Sequence, residues 1–170
     1  RLLVAFAVLL GFLYLARGLS GRELDSWTEA YLPPHGYGED RAGRAAEPIA
    51  WIDDYEAGLR QAVERGVPVF IDFTGITCVN CRIVEKTIFV DPRFIEASKK
   101  LVMIRAYTDR RSAEFLEHDL ANQKRMATFG SVTLPLYVLL APDGTLRDTR
   151  SFQAGQTVDD FLRFLETPAP

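Results

Sequence analysis

Cys78 and Cys81 are the only cysteines among 170 residues, and they lie in the stretch Asp72-Phe73-Thr74-Gly75-Ile76-Thr77-Cys78-Val79-Asn80-Cys81-Arg82. A pair this close cannot cross-link distant parts of a chain. The fold must therefore come from an ordinary apolar core, and any bond between the two sulfurs is local and reversible. The run Val67 to Phe73 is apolar and rich in strand formers, and a helix-compatible segment begins at Cys78. A C-x-x-C placed where a strand hands over to a helix is the arrangement of a thiol–disulfide exchange site.

The length allows one domain with a proper core plus some extra sequence. Net charge is −3, and Lys and Arg are spread along the chain without a basic stripe, which argues against a nucleic-acid partner. The start is different in character. Leu2 to Ala16 carries no charge and is followed by Arg17. Such a run is shorter than the roughly 20 residues that cross a bilayer. It lacks the basic flank and cleavage site of a signal peptide and the polar face of a buried core helix. The expectation is the end of a transmembrane helix that starts upstream of Arg1.

Residues 20–47 read as a linker, broken by Pro33-Pro34, Gly36, Gly38 and Gly43. Leu24, Trp27, Tyr31 and Leu32 suit either a short amphipathic helix at a membrane surface or an apolar patch on the following domain. From Trp51 the pattern is regular. Asp53 or Asp54 caps a helix with Tyr55, Leu59, Ala62 and Val63 on one face, stopped by Gly66. The strand Val67 to Phe73 follows, then a helix from Cys78 to about Val90 with Ile83, Val84 and Thr87 inward. A short helix starts at Asp91-Pro92 and carries Phe94, Ile95 and Ala97. Leu101 to Tyr107 reads as a strand. Ser112 to Phe129 reads as a helix whose apolar side holds Phe115, Leu116, Leu120 and Met126. Leu136–Leu140 and Thr145–Arg150 form a hairpin around Pro142-Asp143-Gly144, and Val158, Phe161, Leu162 and Leu165 mark a last helix. The order predicts an α/β fold, a mixed central sheet with helices on both faces.

The chemistry follows from placement. Cys78 at a helix N-terminus is the expected attacking sulfur, because backbone N–H groups and the helix dipole there favour a thiolate. Cys81, one turn further in, is the resolving sulfur. The same spacing also serves as half of a zinc site, but His35 and His118 lie in unrelated segments, and no metal is expected. Asp72 ends a strand expected to be buried on both faces. It reads as proton partner of Cys81, the alternative being a strand-end carboxylate turned to solvent. Glu85 shares the helical face of both cysteines, either tuning them or standing as a solvated charge. Arg82 and Lys86 read as solvated. Pro135 either opens an edge strand or follows a cis bond that turns the Leu134 backbone toward a substrate strand.

Between Trp51 and Leu165 the chain resembles the C-terminal, thioredoxin-like domain of the DsbD-type thiol:disulfide interchange proteins of bacteria. The likeness is carried by Asp72-Phe73-Thr74-Gly75, Cys78-Val79-Asn80-Cys81-Arg82, Tyr107-Thr108-Asp109, Leu134-Pro135-Leu136-Tyr137-Val138 and Pro142-Asp143-Gly144. It implies a thioredoxin-like domain over 48–167, after a linker and the end of a transmembrane helix at 1–19. It implies catalytic Cys78 and Cys81, tuned by the acidic pair Asp72 and Glu85, with Leu134 and a cis Pro135 binding substrate. No cofactor beyond the cysteine pair is implied. The implied setting is the periplasmic side of a bacterial inner membrane. There the domain would take electrons from a membrane-embedded donor domain and pass them to periplasmic thiol–disulfide partners. One departure is Ile76-Thr77, where an aromatic residue usually precedes the first cysteine.

Overall fold

A computed structural model describes residues 1–19, 24, 28, 48–110, 112–151, 153 and 155–168. The predicted linker, with Trp27, Tyr31 and Leu32, lies outside the described residues except for Leu24 and Thr28. The apolar start forms helix α1 (Leu2–Leu19), whose large side chains from Leu2 to Leu15 are exposed. No helix among the described residues is long and apolar enough to cross a membrane.

Strand β1 (Trp51–Ile52) leads into α2 (Tyr55–Arg65). Asp54 caps this helix by accepting the Ala57 N–H at 2.8 Å. Gly66 ends it at φ 64°, the left-handed conformation that favours glycine. The predicted inward face needs one change. Ala62 is buried and Tyr55 and Leu59 pack against the core, but Val63 is exposed and Gly58 takes its place toward the sheet.

Strand β2 (Val69–Thr74) is buried along its whole length. It runs into α3 (Val79–Thr87), which is shorter than expected. The chain turns after Thr87, so Ile88 and Phe89 enter the core while Thr87 stays exposed. Next come α4 (Pro92–Ser98), capped by Asp91, and β3 (Val102–Tyr107). Helix α5 (Leu116–Thr128) differs most from its predicted face. Met126 is buried as expected, but Leu116 and Leu120 are exposed, and Asp119 and Asn122 are buried in their stead. Polar bonds explain the rotation: Asn122 donates to the Tyr107 carbonyl, and Arg110 pairs with Asp119. The hairpin β4 (Leu136–Leu140) and β5 (Leu146–Ser151) precedes α6 (Val158–Leu165), whose start is fixed by reciprocal Thr157 and Asp160 bonds.

The strands form one mixed sheet in the order β1-β3-β2-β4-β5. β1 and β2 both pair with β3 in parallel, and the hairpin adds antiparallel strands beside β2. The short β1 went unpredicted, because two residues carry too little periodicity to register. Alternation splits β2 between two cores. Val69, Ile71 and Phe73 face Ala62 and Met126 of α2 and α5. On the opposite face Phe70 joins Val84, Phe94 and Phe161 of α3, α4 and α6. Asp72 shares that second face, on the side covered by the cysteine-bearing helix.

Candidate redox site

Cys78 is the N-cap of α3, with extended backbone angles (φ −81°, ψ 102°). Its sulfur is bonded to that of Cys81, their Cα atoms lie 5.3 Å apart, and the Cys81 N–H donates to Cys78 Sγ at 3.2 Å. When the pair is reduced, that N–H and the helix N-terminus stabilise a thiolate at Cys78. Cys81 is buried, whereas Cys78 is only partly so.

The loop between β2 and α3 is held from the side. Asp109, just past β3, accepts the Ile76 N–H at 2.5 Å, the Thr77 N–H at 3.1 Å and the Thr77 hydroxyl at 2.7 Å. Gly75 is required for that approach. A Cβ there would lie 2.9 Å from both Asp109 Oδ2 and Leu134 Cδ1. Leu134 and the cis Leu134–Pro135 bond therefore stand against the same loop. Of these, Asp109 was named only within a matching motif. Its role was hidden because the contact joins segments about thirty residues apart.

Between the cysteine-bearing helix and the sheet lies a buried polar cluster. Asp72 is 1 % exposed, and its Oδ2 has no hydrogen-bond partner. Burial raises its carboxyl to about 7; the nearby Glu85 charge pushes the same way, and Arg105 and Arg82 oppose. Tyr137, across the β2–β4 ladder from Asp72, is fully buried with an unpartnered hydroxyl, and burial raises its pKa well above the ordinary value. Arg105 is the β3 neighbour of Asp72 and lies 4.4 Å over the Trp51 ring.

Arg82 overturns its expected solvated placement. Its side chain is 8 % exposed, and Nη2 donates to Glu85 Oε1 at 2.7 Å, Thr74 Oγ1 at 3.1 Å and the Gly75 carbonyl at 3.2 Å. Glu85 is partly buried and also accepts the Thr74 hydroxyl at 3.3 Å. Helical spacing signals that Arg82 and Glu85 meet at i, i+3, but which face of α3 turns inward depends on where the helix stops. Among the described residues no group of three or more His, Cys, Asp or Glu side chains is placed to hold a metal ion.

The arrangement supplies a local disulfide, a helix start that favours thiolate, and a buried carboxyl in β2 raised to about 7. The chain is 33% identical over 86 residues to the thiol:disulfide interchange protein DsbD of Salmonella paratyphi A, and equally so to that of Salmonella typhimurium. That stretch is 51% of this chain but only 14% of those relatives. The solved structure of a DsbH oxidoreductase superposes with a TM-score of 0.59 at 20% identity, over 74% of this chain and 88% of that one. The oxidised C-terminal domain of DsbD from Neisseria meningitidis gives 0.52 at 19% identity, over 69% and 97%. Residues 50–142 match the family described as Thioredoxin-like, and with the bonded Cys78–Cys81 pair at the head of its helix, the chain belongs to that family as a thiol:disulfide oxidoreductase.

Proposed function

We propose that this chain is a DsbD-type disulfide reductase domain held at a bacterial inner membrane. In this reading it carries electrons from a membrane-embedded cysteine pair to disulfides of periplasmic proteins. The observation that carries the proposal is the Cys78–Cys81 disulfide at the head of α3, next to a strand in which Asp72 is buried. The sequence likeness to DsbD supports the relay, and the apolar, exposed α1 supports an attachment that ends at about residue 19. The thioredoxin-like domain then spans 48–167, and its redox group is the cysteine pair itself.

The reaction in this reading has two displacements. The Cys78 thiolate attacks a partner disulfide, forming a mixed disulfide and releasing one partner thiolate. Cys81 then loses its proton to the Asp72 carboxylate and attacks Cys78 Sγ. That closes the Cys78–Cys81 bond and releases the second partner thiolate. Two electrons leave the dithiol and reduce the partner. The partner thiolates take up protons, one of them returned through Asp72. Leu134 and Pro135, beside the redox loop, present backbone for the partner strand to pair with.

Trapping tests this. Cys81→Ala in the full chain should accumulate a mixed disulfide through Cys78 with a periplasmic partner, whereas Cys78→Ala should trap none. Equal trapping by both variants, or by neither, would contradict the proposal.

A further inference from the structure

A buried arginine beside a redox pair needs a reason. Guanidinium groups rarely leave water unless paired, and a buried ion pair seldom adds net stability over apolar residues of similar size. Arg82 is nonetheless buried, with its Nε unpartnered, and its Nη2 donates to three acceptors. It reaches Glu85 on its own helix, Thr74 at the end of β2, and the Gly75 carbonyl. That same carbonyl accepts the Cys78 N–H at 3.2 Å, so the guanidinium is one bond removed from the backbone of the attacking cysteine.

The groups facing Asp72 make the consequence specific. Glu85 and Arg82 act on it from α3, Arg105 from β3 and Tyr137 from β4. Two carboxyls that act on each other, left to themselves, titrate in coupled steps. We propose that Arg82 is a positioning residue that divides the work between them. Its guanidinium pins Glu85 as a fixed anion and anchors the redox loop, so that Asp72 alone exchanges a proton with Cys81. This rests on the reading of Asp72 as the proton partner of Cys81. The fixed charge on Glu85 then has a function of its own, since it keeps the Asp72 proton affinity in the neutral range without consuming protons itself.

The test uses the full chain, with oxidised glutathione as the disulfide probe and carbon-detected NMR of the carboxyls in the oxidised protein. In the unaltered protein Asp72 should titrate in one step near neutrality while Glu85 stays silent from about pH 5 to 9. In Arg82→Met, Glu85 should begin to titrate with Asp72, and the pH–rate profile should broaden by more than about one pH unit. Arg82→Lys, which keeps the charge and loses the fork, should return part of the single-step behaviour. Should Arg82→Met fold poorly, Arg82→Met with Glu85→Gln removes both charges together and should again show one step from Asp72. An unchanged profile and a silent Glu85 in Arg82→Met would overturn the assignment of Arg82. If instead Asp72→Asn leaves the pH–rate profile unaltered, the underlying reading of Asp72 fails, whatever Arg82 does.

Discussion

Asp72 is where burial and reactivity meet. A carboxyl in an apolar strand resists ionisation, so its proton is available near neutral pH, where thiol chemistry runs. Replacing it by Asn should slow closure of the Cys78–Cys81 bond by roughly 100-fold, as loss of a general base does, measured by stopped-flow oxidation. The same residue destabilises the fold at high pH. Its carboxyl binds a proton more tightly folded, at about 7, than unfolded, at 3.8. Below 3.8 both states hold the proton and the contribution is fully favourable; it is lost as pH rises through about 7. Asp72→Asn should therefore stabilise the protein at pH 8 by up to about 4 kcal/mol more than at pH 4, measured by urea unfolding. Equal gains at both pH values would count against it. Glu85→Gln removes the like charge and should lower the Asp72 midpoint, visible in the same carboxyl titration. Asp72 and the cysteines were legible because strand burial and C-x-x-C spacing are local patterns. Arg82 was not, since a charge on a helix reads as solvated until its three acceptors are brought together.

At the scale of elements, α3 is held by two different means. Its apolar side enters an aromatic cluster in which Phe89 stacks on Phe94 with ring centres 4.8 Å apart and Tyr137 meets Phe161 edge-on at 4.9 Å. Phe94→Ala should cost about 3–5 kcal/mol in unfolding while leaving the exchange chemistry of the surviving folded protein unaltered. The loop that leads into it is held instead by the Asp109 carboxylate. Asp109→Ala should loosen residues 75–77 and slow attack by Cys78, with amide exchange of Ile76 and Thr77 rising before that of β2. Unchanged protection at those amides would contradict the clamp. Helix and strand existence was readable from periodicity. The inward face of α5 was not, because Asp119 and Asn122 are buried through bonds to Arg110 and Tyr107, and polar residues carry no apolar signal.

For the whole molecule, the sheet order puts the redox loop at the ends of β2 and β3, beside the Leu134–Pro135 turn that opens β4. Three segments distant in sequence thus meet at one end of the central strands, and their meeting follows from the β3-β2-β4 pairing rather than from any one motif. The mixed sheet was legible from the order of elements, whereas the β1 edge, resting on two residues, was not. Removing residues 1–47 should leave folding and glutathione exchange intact and abolish partition into membrane vesicles; a fragment that failed to fold would show that the boundary at 48 is misplaced. The direction of electron flow is the central point, and the reduction potential of the Cys78–Cys81 couple tests it most directly. A value near that of thioredoxin, about −270 mV, is expected for a reductase, and one near about −120 mV, that of a strong oxidant, would contradict it.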